Sequence, residues 1–464
     1  MVKEKRIIKT RKPEADLMRN VEFPREEYVS LLKERRFNGL IKVITGARRT
    51  GKSYLMNNLF RRALLQEGVK EANIIQFAFD FDEDIDKLDS FFPEEPTKIP
   101  QKGNTYLVNA KKFRAYIQSK TNESEAFYLL LDEIQQLDNF VGTLNGYLAK
   151  ENLDIYVTGS NSHLLSSDIA TTFKGRSSLI QIHPLSFSEF FANLGQSKEE
   201  AWAEYILTGS LPIVAKMSTQ QEKEEYLTLL DEETYLKDII AHHNIFKTQE
   251  LGECFSMFAS MIGSPMNISK LVGTFLSREH KKIANQTISS YLDFFKDAFV
   301  LETARQYDIK GKNYIEQPFK VYFEDMGVRN ARLHFGQMEE SHLMENIIYN
   351  ELLRRRYRVD IGRINVFEDS GRLDQRRKSI YEQKSLEVDF IATKGNEKLY
   401  IQSALYLPDE EKKRQEKRSL LAIRDSFPKI IVTKNGLKPY RDEDGIITID
   451  LFDFLLCHDI REFL

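Results

Sequence analysis

Residues 46–53 read G-A-R-R-T-G-K-S, directly after the apolar run LIKVIT (40–45) and at the head of the amphipathic stretch SYLMNNLFRRALLQEG (53–68). No other feature of the chain restricts its fold as much. A loop that wraps a phosphate turns its backbone N–H groups inward, and glycine permits both the dihedrals and the close approach. A helix starting at the loop presents its positive end to the anion. Such a loop needs a strand before it and a helix after it, and the sequence supplies both. The spacing of Gly46, Gly51, Lys52 and Ser53 fits a phosphate loop in which Lys52 reaches the β- and γ-phosphates and Ser53 ligates Mg2+. Ala47, Arg48, Arg49, Thr50 and Tyr54 complete the expected nucleotide-binding set. A basic turn between strand and helix is the plainer alternative.

The runs NIIQFAFD (73–80), FYLLLD (127–132), LDIYVTG (153–159) and SLIQIHP (178–184) are β-rich and alternate with helical patterns. That alternation predicts an α/β fold with a mostly parallel, helix-covered sheet. The run YLLLDEIQQL reads as a buried strand ending in Asp132 and Glu133. Asp132 fits the carboxylate that holds Mg2+ in a phosphate-loop NTPase. Glu133, just past it, is placed to accept a proton from an attacking water. The expected cofactors are ATP and Mg2+.

These two motifs resemble an AAA-type ATPase of the ASCE class. The resemblance implies that the strand ending in Thr158-Gly159-Ser160-Asn161 lies between the two motif strands, with Ser160 or Asn161 positioning water. It further implies that Arg176, before the fifth strand, senses or neutralises the γ-phosphate, in its own subunit or a neighbour's, so that a homo-oligomer is the expected assembly. A surface salt bridge is the other reading of Arg176. The arrangement GARRTGKS … LLLDEIQ … TGSNSHLL … GR … HPLSFSEF … TGSLP resembles, over nearly the whole chain, a prokaryotic ATPase family with a C-terminal domain of unknown function. Two departures stand out: TGSLP replaces a Gly-Gly-Phe-Pro tendency, and Ala241 in DIIAHHNI stands where a basic residue often precedes histidine.

Beyond residue 215 the pattern turns helical, and residues 265–323 read helix, helix, hairpin, resembling a winged helix. Its core would be Leu271, Phe275, Ile288, Leu292 and Phe295. Asn285, Gln286 and Thr287 open the second helix and are able to reach base edges. Lys281 and Lys282 before it, and Lys310 and Lys312 at the hairpin tip, are candidate phosphate contacts. Asp293 and Asp297 on the same helix oppose that use, and a protein-packing lid is the alternative. After residue 336 the order helix, hairpin, helix, strand resembles a restriction-endonuclease-like fold. Glu345, Asp389 and Gln402 match its Mg2+ ligands, giving a candidate second Mg2+ site. The lysine position is Ala404, which disfavours cleavage, and Glu387 is a substitute ligand two residues before Asp389. The charge-dense stretch 369–384 reads as a surface loop.

Three parts are therefore expected: an ATPase core with an N-terminal extension (1–215), a helical lid with the winged helix (216–335) and a degenerate endonuclease-like domain (336–464). Lys and Arg number 67 against 70 Asp and Glu, so no global charge draws the chain to nucleic acid or membrane. Two cysteines, Cys254 and Cys457, exclude a disulfide framework. No run approaches the ~20 apolar residues of a membrane span, and the expected location is cytoplasmic. Three functions remain open: an ATP-driven switch or motor acting on double-stranded DNA or a DNA-bound partner, an ATP-gated nuclease of a defence or mobile element, and a signalling ATPase that binds only proteins.

Overall fold

In the computed structural model, residues 21–101, 105–159, 173, 175–279, 282–373 and 379–464 are described. Strands β1 (Ile41–Thr45), β2 (Ile74–Ala78), β5 (Phe127–Asp132), β6 (Leu153–Thr158) and β7 (Ser177–Gln181) form one sheet in the order β2-β5-β6-β1-β7. Every pairing in it is parallel. As expected, β6 separates the two motif strands. Every residue of β1, β5 and β6 is buried. Central parallel strands are covered on both faces, which is why they read as unbroken apolar runs. The short strands β3 (Lys98–Pro100) and β4 (Tyr106–Val108) pair separately.

The rest of the chain builds a second, mixed sheet of eight strands: β8 (Leu301–Asp308), β9 (Asn313–Phe323), β10 (Arg358–Leu373), β11 (Ser379–Lys394), β12 (Glu397–Ala404), β13 (Lys429–Thr433), β14 (Tyr440–Arg441) and β15 (Ile447–Asp450). Their order is β14-β15-β13-β12-β11-β10-β8-β9. The β8–β9 hairpin follows the helices Ile268–Glu279 and Asn285–Asp297, and Leu271, Phe275, Ile288, Leu292 and Phe295 are all buried. That hairpin is also part of the large sheet, since β8 pairs in parallel with β10 at Ile361–Arg363. One sheet thus runs across the expected boundary at residue 335.

The stretch 369–384 is not simply a loop. Strands β10 and β11 stay paired through Asp369↔Tyr381 and on to Leu373↔Ser379. Strand pairing is made by backbone groups, so the ladder is kept while the sequence carries charges.

An interlocked turn joins the first sheet to the rest. Gly209 (φ 70°) packs so closely on Asp325 that an added Cβ would lie 2.1 Å from Asp325 Oδ1. Gly327 leaves the same kind of gap, 2.2 Å from the Thr208 carbonyl oxygen. Ser210 N donates to Asp325 Oδ2 (2.7 Å), and the Asn330 amide donates to the carbonyls of Ile206 (2.7 Å) and Leu207 (2.9 Å). The TGSLP segment is thereby held by the residues that follow β9. Aromatic packing adds to this: Phe187 stacks on Phe452 at 5.7 Å, joining the first unit to the C-terminal helix Leu451–Leu456. Among the described residues no helix is long and apolar enough to cross a membrane.

Glu302 on β8 lies behind this contact. Burial, together with neighbouring Glu324, pushes its carboxyl up to about 7, against the pull of Lys296 and His183. A carboxyl raised in the folded state favours folding when protonated. That contribution is complete below the ordinary carboxylate range and is lost as pH rises through about 7. Glu302→Gln should therefore stabilise the chain at pH 8 by roughly 1–3 kcal/mol and be near neutral at pH 5. Urea unfolding midpoints at both pH values measure this.

Candidate nucleotide site

The loop after β1 takes its shape from its glycines. Gly46 (φ 136°) lies against the chain beyond β7, where a Cβ would come within 2.1 Å of the Ile182 carbonyl oxygen. Arg49 and Gly51 also have left-handed backbones (φ 67° and 92°). Thr50 Oγ1 donates to the Ala47 carbonyl at 2.8 Å and braces the apex. Lys52 is buried, and its ammonium donates to the carbonyls of Gly46 and Ala47, both at 2.9 Å. Burial pushes it down to about 8, against the pull of Glu133. The helix begins at Lys52, runs as a π-helix over Leu55–Phe60 and continues to Gln66.

Asp132 ends β5 beside this helix. Its Oδ1 accepts from the Ser53 hydroxyl at 3.1 Å and from the Thr158 hydroxyl, and its Oδ2 accepts from the Asn57 amide at 3.2 Å. Burial pushes its carboxyl up, while the Thr158 and Ser53 hydroxyls draw it back. Glu133 follows with a left-handed backbone (φ 52°) and accepts from the Gln135 amide. Sequence reasoning quoted Thr158 but gave it no role, and it missed Asn57 and Gln135. The signal for Asn57 was its place four residues after Ser53, one turn further along the same helix face.

A cavity of about 480 Å3 opens over the loop, bounded also by Glu133, Phe23, Arg25, Tyr54, Pro212, Ile213 and Lys216. Its size suits a small organic ligand. The glycine cradle, the basic side chains Arg25, Arg48, Arg49, Lys52 and Lys216, and the Ser53–Asp132 pair all fit a nucleotide with its Mg2+. The two loop arginines part ways. Arg48 pairs with Asp238 on the helix Lys237–His243, while Arg49 is exposed at the cavity rim.

Other expected residues lie elsewhere. Ser160, Asn161 and Lys281 fall outside the described residues. Arg176 is not brought to the loop of its own chain. Its carbonyl accepts from Ile41 N at the start of β1, whereas the loop follows the end of β1, about 16 Å away at ~3.3 Å per residue. Its guanidinium donates to the Asn145 side chain at 3.1 Å. Lys282, Asn285 and Gln286 are exposed at the start of their helix, and Thr287 is half-buried. Lys310 and Lys312 are exposed at the hairpin tip, where Lys310 Nζ donates to the Asn365 carbonyl at 2.6 Å.

The candidate second Mg2+ set is divided. Glu345 and Asp389 converge, with Glu387, on the Lys320 ammonium. Gln402 does not join them. It shares a strand face with Tyr400 and Ala404, which pack toward Leu420 on the helix Glu410–Leu421, and its Oε1 accepts from Ser419 on that helix at 3.4 Å. Side chains two apart on a strand share a face, so Gln402 and Ala404 turn away from Glu345 together. Lys320 was missed because it comes from β9, outside the segment that carries the resemblance. Burial works against its charge, but Glu345, Asp389 and Glu387 together hold its ammonium above the ordinary lysine range. Burial and Glu345 push the Asp389 carboxyl well up.

Residues 38–191 match the family described as an AAA domain, and residues 199–339 match a domain of unknown function (DUF8612). An uncharacterized protein of Haemophilus influenzae is 33% identical over 438 residues, covering 93% of this chain and 98% of that one. Uncharacterized protein MJ1544 of Methanocaldococcus jannaschii is 26% identical over 404 residues, covering 83% of this chain and 79% of that one. Among solved structures, the Aeropyrum pernix ORC1 protein in complex with DNA aligns with 69% of this chain and 95% of its own, at 10% identity and a TM-score of 0.31. The Aeropyrum pernix ORC2 protein (ADPNP-ADP complexes) aligns with 60% of this chain and 86% of its own, at 11% identity and a TM-score of 0.33. The chain belongs to the family of the Haemophilus influenzae protein, and its residues 38–191 match the AAA-domain family model.

Proposed function

We propose that the chain is a Mg2+-dependent ATPase that works as a switch or motor on DNA or on a DNA-bound partner. The observation that carries the ATPase reading is the surround of Asp132: a buried carboxylate held by the Ser53 and Thr158 hydroxyls, with Glu133 next in the chain and Lys52 across the loop. The loop N–H groups and Lys52 bind the β- and γ-phosphates. Ser53 and Asp132 would hold Mg2+, which would neutralise charge on the phosphates. Glu133 takes the proton of the attacking water as the bond from the γ-phosphorus to the bridging oxygen breaks. Release of Glu133 from the Gln135 amide frees it for that step. Arg176, at the opposite end of β1 from its own phosphate loop, acts on the γ-phosphate of a neighbouring copy. The DNA reading is supported by Lys282, Asn285 and Gln286, exposed together at one helix start.

Lys52→Ala should weaken ATP binding at least tenfold, read by titration with a fluorescent ATP analogue; unchanged affinity would remove the phosphate-site reading. Glu133→Gln should keep ATP bound and slow turnover by about 10²-fold or more. Arg176→Ala should abolish turnover alone yet regain part of it when mixed with Glu133→Gln, because each variant supplies what the other lacks. No recovery at any mixing ratio would argue against action between copies. Duplex DNA should raise the ATPase rate, and added salt should reverse the effect. Equal rates with and without every nucleic acid tested would favour a partner made of protein.

A further inference from the structure

Three carboxylates and one lysine meet under the helix Glu340–Arg354. Lys320 Nζ lies 2.9 Å from Glu345 Oε1, 2.7 Å from Glu387 Oε1 and 3.9 Å from Asp389 Oδ1. The lysine side chain is only 3% exposed, and those of Glu345 and Asp389 are 12% and 10% exposed. Two further donors reach these carboxylates. Tyr322, two residues along β9 and buried, donates to Glu345 Oε1 at 2.7 Å, and Ser403 N donates to Asp389 Oδ2 at 2.8 Å. A buried ammonium is tolerated only where carboxylates pair with it, and buried carboxylates likewise need a cation. Here one ammonium faces three carboxylates, of which Glu345 and Asp389 are largely buried and Glu387 is 34% exposed. A divalent ion would draw the same oxygens to about 2.0–2.6 Å around one centre, and the ammonium occupies that centre. Among the described residues, no group of three or more His, Cys, Asp or Glu is disposed to hold a metal ion.

We propose that Lys320 is the resident cation of this cluster, filling the place that a divalent metal takes in the endonucleases this region resembles, so that the cluster is a metal-independent joint between β9, the helix Glu340–Arg354 and β11. The joint has three arms. Lys320 comes from the hairpin that follows the two helices, Glu345 from the helix over the sheet, and Glu387 and Asp389 from β11. With no metal to lower the pKa of a bound water, the cluster lacks a source of hydroxide for phosphodiester cleavage. This goes beyond the ATPase reading and does not depend on it.

The test uses the full chain without nucleotide. Mn2+ titrations of the wild type and of Asp389→Asn should give the same isotherm, because binding near Ser53 and Asp132 is common to both. The shift of the thermal midpoint between EDTA and millimolar Mn2+ should be the same in the wild type and in Asp389→Asn. Lys320→Met should lower that midpoint by roughly 5 °C or more. It should also gain roughly tenfold in Mn2+ affinity, a gain that Lys320→Met/Asp389→Asn loses. Wild-type Mn2+ binding, or Mn2+-dependent plasmid nicking, that disappears in Asp389→Asn would overturn the proposal. So would a Lys320→Met protein as stable as the wild type. If Lys320→Met does not fold, the wild-type and Asp389→Asn comparison decides alone, since neither protein relies on that variant.

Discussion

One backbone hydrogen bond, from Ile182 N to the Thr45 carbonyl at 2.7 Å, fixes where the rest of the molecule can go. It extends the β1–β7 pairing one residue beyond the sheet and presses the Ile182 carbonyl onto Gly46. The phosphate loop must then bend away, and only glycine fits at the point of contact. The next residue turns the other way. His183 Nδ1 lies 2.5 Å from Glu324 Oε1, at the end of β9, and the His183 carbonyl accepts from Arg25 at 2.6 Å. Arg25 itself lines the cavity over the loop. Within two residues, the chain therefore touches the loop, the cavity wall and the second sheet.

The first unit was legible in the sequence because its constraints are local. A loop motif between a strand and a helix needs nothing distant to specify it, and parallel strands buried on both faces read as apolar runs. The strand pairing at 369–373 and 379–384 was not legible, because a charge-dense sequence has no hydrophobic alternation to detect. Thr158, Asn57 and Gln135 were partly legible at best. Polar residues at the ends of apolar elements are common, and only the fold shows which of them converge on one carboxylate.

The second cluster shows why spacing can mislead. Glu345, Asp389 and Gln402 matched a metal set by order along the chain, but strand alternation turns Gln402 to the opposite face. The cation that does reach the carboxylates comes from β9, 25 residues before Glu345. No reading confined to the last segment could have found it. The arginine pair of the phosphate loop was legible as charge but not as direction: Arg48 is committed to Asp238, and its neighbour is left at the cavity rim.

Strand β9 carries Lys320 and is followed at once by Glu324 and Asp325, which hold His183 and the TGSLP turn. A stretch of six residues thus has one end in the carboxylate cluster and the other in the wall of the nucleotide unit. The sequence match that ends at residue 339 stops between these partners. A fragment cut there would keep β8 without β10, an open sheet edge of the kind that recruits other chains, and would keep a buried lysine without its carboxylates. The boundary of that family match falls inside one sheet, and a rearrangement at that seam would have to carry both halves of the sheet to leave a stable protein.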